Sequence, residues 1–224
     1  MKISPIIVLV VLFAGCMPAL QNKAAFDNPI CPPPCWQNIT PGITTKKDAL
    51  NILSKISFVD QPVIDMSTSS MGFEDQIRFS AYTGSQRHAA GSIFISGDRV
   101  VVIAFETHLG TMQKAIDLFG DPEYILVVQT GFFDEVTLLN TSKGISFAYK
   151  LFGYESLAAS GIEPNTEIDY VIFYDPNQFQ AILNSKILSA YTLDSDGTKK
   201  FLRPWTGYGS FKEKYWPPAT PSSP

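Results

Sequence analysis

A glutamate and a histidine two residues apart are the clearest candidates for acid–base chemistry in the sequence. Glu106 and His108 lie in the stretch FETHLG. On a β-strand, residues i and i+2 point to one face, so the carboxylate could orient the imidazole as a general base. The boundary between a strand and a helix also carries polar residues for solubility, and that interpretation stays open. The other histidine, His88, lies in a predicted hairpin loop.

The remaining polar residues do not follow a familiar catalytic or metal-binding pattern. Serines occur in STSSMG and YTGSQ, without the Gly-x-Ser-x-Gly turn of many hydrolases. The stretch DSDGTKK lacks the further ligands and closing glutamate of a calcium loop, and it predicts a β-turn. We therefore expect no metal, no cofactor and a protein that is not an enzyme. The alternative is an extracytoplasmic, hydrolase-like enzyme with a dispersed site.

Cys16 follows an uncharged apolar run and two small residues, Ala14 and Gly15. A basic start, an apolar stretch of roughly 7–15 residues and small residues at its end are the plan of a secretory signal. The uncharged stretch 3–20 also reaches the roughly 18 residues of a membrane-spanning helix, although prolines interrupt it. An uncleaved helical anchor and a plain secreted protein therefore remain alternatives. Both of these interpretations, like the lipid anchor described next, export the rest of the chain.

The stretch LFAGC resembles the bacterial lipobox, in which a leucine, two small residues and a cysteine follow one another. Ala14 and Gly15 match it, and Phe13 stands where leucine is usual. The resemblance implies that the signal, residues 1–15, is removed and that Cys16 carries a diacylglycerol, often with a further acyl chain on the new amino terminus. Two acyl chains hold a protein stably to a bilayer. The expected location is the cell membrane, lipid-anchored, facing the extracytoplasmic side.

Cys31 and Cys35 remain once Cys16 is assigned to lipid. An exported chain meets an oxidising environment, which favours a disulfide between them. Three intervening prolines in a polyproline helix, rising about 3.1 Å per residue, would hold the Cα atoms about 12 Å apart, beyond the roughly 4.4–6.8 Å of a disulfide. Either the prolines turn or the bond does not exist. We expect the bond, because zinc needs about four ligands and the histidines lie far off in sequence.

The composition predicts a folded domain between a tether and a tail. Apolar residues make up 45% of the chain and aromatic residues 12%, which excludes general disorder. A net charge of −4 is not that of a nucleic-acid-binding protein. We expect a lipid-anchored tether over 16–35, a domain over 36–216 and a disordered tail over 217–224, where the sequence is rich in proline and serine.

The pattern of elements predicts an α+β fold, with an antiparallel sheet packed against a few short helices. Thr45, Thr111 and Asp175 are predicted helix caps. Segments in which apolar and polar residues alternate, or in which several apolar residues follow one another, predict strands. They are QIRFSAY, AAGSIFIS, RVVVIAFE, YILVVQT, EVTLLN, GISFAYKL and EIDYVIFY. The first two helices align at an offset of 66 residues. This offset suggests two tandem helix–meander repeats, 36–107 and 108–175, followed by a C-terminal segment.

Two stretches carry further resemblances. PCWQNITPGIT, residues 34–44, resembles the opening of an uncharacterised group of bacterial envelope lipoproteins, and that group implies no activity. GTMQKAIDLFGDPEYI, residues 110–125, is similar to the repeat of SmpA/OmlA-type lipoproteins and the related β-lactamase-inhibitor-like fold. Gly120 and Pro122 match its helix stop, whereas Ser54 stands in place of the glycine in the first copy. The resemblance implies roles in folding for these residues.

An irregular aromatic stretch near the C-terminus is the predicted binding surface. Aromatic rings and arginine are common interface anchors and sugar platforms, although large side chains are also used to pin an irregular segment onto a sheet. The candidates are Arg203, Trp205, Tyr208, Phe211, Tyr215 and Trp216. We expect a non-catalytic binding or assembly module whose partner is an envelope protein or glycan. The acyl chains on Cys16 are expected to anchor this module to the membrane.

Overall fold

The computed structural model describes residues 31–60, 62–65, 73–83, 86–107, 110–129, 133–152, 159–184 and 202–215. Cys16, His108 and Trp216 lie outside these ranges, as do the expected signal, most of the tether and the tail. Four α-helices lie in the described part: α1 (Lys46–Leu53), α2 (Met112–Phe119), α3 (Phe179–Asn184) and α4 (Phe211–Lys214). No helix in these ranges is both long and apolar enough to cross a membrane.

Each of the first two helices begins at the predicted threonine. The Thr45 side chain accepts a hydrogen bond from the backbone N–H of Asp48 at 3.1 Å, and Thr111 accepts one from that of Lys114 at 3.4 Å. These bonds satisfy an amide of the first turn that has no partner inside the helix. α2 ends at Gly120, whose φ of 88° lies in the region that favours glycine. Asp175 caps the 3₁₀ turn Pro176–Gln178, which leads into α3.

Nine strands of the main sheet lie in the described ranges: β1 (Val63–Asp65), β2 (Asp75–Thr83), β3 (Gln86–Ser96), β4 (Arg99–Thr107), β5 (Tyr124–Gln129), β6 (Phe133–Asn140), β7 (Ile145–Phe152), β9 (Tyr170–Tyr174) and β10 (Arg203–Pro204). They form one antiparallel sheet in the order β1-β2-β3-β4-β9-β7-β6-β5-β10. A second sheet pairs β8 (Gly161–Ile162) with β11 (Gly209–Ser210). The predicted α+β class is confirmed, and a turn at Gly97 joins β3 to β4.

The sheet consists of two three-stranded meanders, one strand between them, and a short strand at each edge, β1 and β10. β2, β3 and β4 follow α1, and β5, β6 and β7 follow α2. β9 pairs antiparallel with β4 on one side and with β7 on the other. β4 and β7 are therefore parallel to each other, with β9 as the centre of the sheet.

The two faces of the sheet bury separate hydrophobic cores. The main core lies on the face covered by α1 and α2, and it includes Leu53, Phe105 and Phe119. Gly91 lies opposite Phe79 in the β2–β3 pair, and the Phe79 ring fills the space that a side chain at Gly91 would need. The smaller core lies on the opposite face and contains side chains of α3. Alternation along the strands sends neighbouring residues to these two faces.

Candidate functional site

Cys31 and Cys35 are joined in the structure, with Cα atoms 5.6 Å apart. The prolines between them turn, as the disulfide requires. The Pro33–Pro34 peptide bond is cis, and the backbone N–H of Cys35 donates to the carbonyl of Pro32 at 3.0 Å. The bond thus closes a five-residue ring at the first described residues of the chain.

A tight hairpin follows this ring and enters the main core. Trp36 and Ile39 exchange two backbone hydrogen bonds of 2.9 and 2.8 Å across Gln37 and Asn38, which both have positive φ. The exposed fractions of Trp36 and Ile39 are 3% and 0%. The stretch PCWQNITPGIT therefore contributes buried side chains to the fold.

Glu106 meets two residues that the sequence alone did not select. β4 and β9 pair Glu106 with Tyr170, and the Tyr170 hydroxyl donates to the Glu106 carboxylate at 3.4 Å. The ammonium of Lys150 on β7 donates to the same hydroxyl at 2.6 Å and lies 4.6 Å from the centre of the Tyr170 ring. We call Glu106, Tyr170 and Lys150 the polar row. His108, the predicted partner of Glu106, lies outside the described residues.

The polar row lies on the face of the sheet opposite the main core. Phe105 and Val171, the chain neighbours of Glu106 and Tyr170, both belong to the main core, so strand alternation sends the row to the other face. Glu106 is exposed, whereas Tyr170 and Lys150 are half-buried. The row is thus fixed at one end and open to solvent at the other.

Carboxylates lie close to Lys150. Lys150 is paired in register with Glu135, which is 6% exposed, and the backbone N–H of Lys150 donates to Asp169 at 2.7 Å. Partial burial alone would lower the pKa of Lys150, but the hydrogen bond to Tyr170 and the charges of Glu135 and Glu106 outweigh it and raise the pKa. Lys150 therefore stays protonated as a hydrogen-bond donor.

The aromatic C-terminal stretch is divided between the core and the surface. Phe211 and Tyr215 are 1% and 2% exposed, so the structure places these two members of the predicted surface in the core. Trp205 and Tyr208 are half-buried and pack against the main core. Arg203 pairs with Ile125 at the edge of the sheet.

Hydrogen bonds hold this segment across α2. The Tyr208 hydroxyl donates to the Gln113 side chain of α2 at 3.0 Å, and the Tyr215 hydroxyl donates to the carbonyl of Gly207 at 2.7 Å. The rings of Trp205 and Tyr215 stack with centroids 6.0 Å apart. These contacts pack the segment against the rest of the domain. A packing role was the alternative to a binding surface in the sequence analysis.

Tyr170 and Lys150 could not be selected from the sequence because their partner is distant along the chain. Tyr170 lies 64 residues from Glu106, and only the insertion of β9 between β4 and β7 brings the three side chains together. The available signal was the polar residues that interrupt the apolar strands GISFAYKL and EIDYVIFY. His88, expected in a loop, lies within β3.

The side chains of the polar row can donate and accept hydrogen bonds. Within the described ranges, no group of three or more His, Cys, Asp or Glu side chains is close enough to hold a metal ion. The polar row offers a carboxylate acceptor, a phenol and an ammonium donor on an open sheet face. Comparison with protein-family models, curated proteins and solved structures found no match for this chain.

Proposed function

We propose that the protein is a lipid-anchored lipoprotein of the bacterial cell envelope and that its α+β domain is a non-catalytic binding or assembly module. The observation that carries this proposal is Cys16, which follows an apolar run, Ala14 and Gly15 in the lipobox-like stretch LFAGC. A diacylglycerol on that cysteine supplies the two acyl chains that stable anchoring needs.

The pair Cys31–Cys35 supports the extracytoplasmic side of this proposal. A five-residue ring closed by a disulfide persists in an oxidising compartment and is rare in the cytosol. It stands 15 residues after Cys16, between the proposed anchor and the buried Trp36. The tether would then end in a covalently closed joint at the surface of the domain.

The binding role is supported by the open polar row and the half-exposed aromatic residues of the C-terminal segment. Both lie on a scaffold of sheet and helices, which holds recognition groups in fixed positions. The proposed partners are an envelope protein or an envelope glycan.

Metabolic labelling of bacteria with a fatty acid tests the anchor. The full chain is expected to incorporate the label and to lose its signal, whereas Cys16→Ser is expected to stay unlabelled and unprocessed. The double variant Cys31→Ser/Cys35→Ser is the matched control, because it removes two cysteines but should be labelled like the native chain. Processing and membrane partitioning of Cys16→Ser identical to those of the native chain would overturn the proposal.

A further inference from the structure

We propose that the polar row of Glu106, Tyr170 and Lys150 binds a neutral, hydroxyl-rich oligosaccharide of the envelope. The inference deepens the proposed function, on which it rests for the source of the ligand. It goes beyond that function by naming a site and a ligand class.

The contact between Tyr170 and Glu106 is the weak point of the row. The Lys150–Tyr170 bond is 2.6 Å long, whereas the Tyr170 hydroxyl lies 3.4 Å from the Glu106 carboxylate. Strong hydrogen bonds between oxygen atoms are about 2.5–3.0 Å long. An exposed carboxylate held so loosely can turn toward a better donor.

A ligand hydroxyl can bridge these two side chains once the Glu106 carboxylate has turned away from Tyr170. A hydroxyl can donate to the Glu106 carboxylate and accept from the Tyr170 phenol at the same time. Lys150 fixes the phenol in place from the other side, so Tyr170 is positioned before a ligand arrives. Preorganised donors and acceptors lose less conformational entropy on binding.

Short side chains flank the exposed end of the row. Ala90 on β3 is paired in register with Glu106, and Ser92 is paired with Ala104 one position along the same face. All three short residues are half-buried. The Glu106 carboxylate therefore rises above its neighbours on this side, where a flat ligand such as a sugar ring could lie against the sheet.

Charge selects a neutral ligand over an ion. The Glu106 carboxylate lies on one side of the Tyr170 hydroxyl, and the Lys150 ammonium lies 2.6 Å from the same hydroxyl on the other side. An anion at this hydroxyl would meet the Glu106 carboxylate, and a cation there would meet the Lys150 ammonium. A neutral polyol avoids both repulsions, and its hydroxyls can bond to the Glu106 carboxylate and to the Tyr170 phenol.

Titration with N-acetylglucosamine tetrasaccharide tests the site. The mature, acylated full chain is held in a zwitterionic detergent without a sugar headgroup, and binding is followed by calorimetry. We expect saturable binding that Glu106→Gln and Tyr170→Phe each weaken by about tenfold or more. Glu163→Gln, which changes an exposed carboxylate on a loop, is the matched control and should bind like the native chain.

The outcomes separate the inference from the proposed function. No saturable binding by the native chain, or equal binding by Glu106→Gln, would overturn the glycan site. Tighter binding of an acidic or basic peptide at the same residues would overturn it as well. If Cys16 is acylated but the protein does not bind the glycan, only this inference is overturned. If the protein binds the glycan but carries no acyl group, the proposed anchor is overturned and the glycan site is retained. Unchanged thermal unfolding midpoints in the variants confirm that lost binding is not lost folding.

Discussion

The indole of Trp36 packs against the ring of Phe105 with centroids 4.6 Å apart. Phe79 lies on the same indole at 5.6 Å. These contacts attach the disulfide-closed N-terminal ring to the first meander of the sheet. Trp36 is therefore the residue through which the proposed tether is joined to the folded domain.

Trp36→Ala is expected to destabilise the domain strongly. The side chain is 3% exposed, and removing a buried tryptophan costs about 3–5 kcal/mol through lost burial and the cavity left behind. Urea unfolding measures the change. Ile43→Ala, at a side chain that is 69% exposed, is the control and should change the free energy of unfolding by less than about 0.5 kcal/mol. Similar effects of the two substitutions would contradict the buried position of Trp36.

The Cys31–Cys35 bond is expected to add only modest stability. A ring of five residues removes little freedom from the unfolded chain, and the loop-entropy relation gives about 2 kcal/mol. The measurement compares unfolding of the oxidised protein with that of Cys31→Ser/Cys35→Ser. The reduced native protein should behave like the double variant, and equal stability of the oxidised protein and the double variant would contradict this contribution.

Glu123 is expected to make the domain less stable in acid. Its carboxylate accepts backbone hydrogen bonds from Thr141 at 3.2 Å and Ser142 at 3.1 Å, and it also accepts one from the Thr141 hydroxyl. Partial burial alone would raise the pKa of Glu123, but hydrogen bonding from the side chains of Ser142 and Thr141 and from their backbone N–H groups outweighs it and lowers the pKa below its usual value. The carboxylate thus binds its proton more weakly in the folded state than in the unfolded state.

The sign of the pH effect follows from linkage. A pKa that is lower in the folded state gives stability above the unfolded value of about 4.3, and this stability is lost as the pH falls through the folded value. The native chain should therefore be more stable than Glu123→Gln at pH 7, and the difference should shrink by pH 3. Chemical unfolding at both pH values measures this. A difference that stays constant with pH would refute the role of the ionised carboxylate.

Phe211→Ala is expected to act on stability, because this member of the predicted binding surface is buried. Its exposed fraction is 1%, and the loss of a buried phenylalanine costs about 3–5 kcal/mol. Thermal unfolding checks the prediction. Lys212→Ala changes the exposed neighbour on α4 and should be nearly neutral; a stable Phe211→Ala protein would place the side chain at the surface after all.

Local signals made the first three helices and most strands predictable, whereas α4 lies in a stretch that the sequence predicted to be irregular. Thr45 and Thr111 cap their helices with bonds to residues three positions on, and Gly120 ends α2. Such interactions depend on neighbours in the sequence, which one chain displays directly.

Long-range pairing could not be predicted. Whether β9 lies at an edge or between β4 and β7 depends on packing that no local pattern records, and the polar row depends on that choice. The C-terminal segment shows a second limit, because an irregular stretch has no period of 2 or 3.6 to separate buried from exposed positions. Phe211 and Trp205 therefore look alike in sequence, although the structure buries the first more deeply.

Mass spectrometry of the N-terminal peptide from the membrane-extracted protein tests the central claim most directly. The account predicts a chain that begins at Cys16, with a diacylglyceryl group in thioether linkage to its sulfur. A chain that begins at Met1, or one that carries a bare thiol at Cys16, would contradict it.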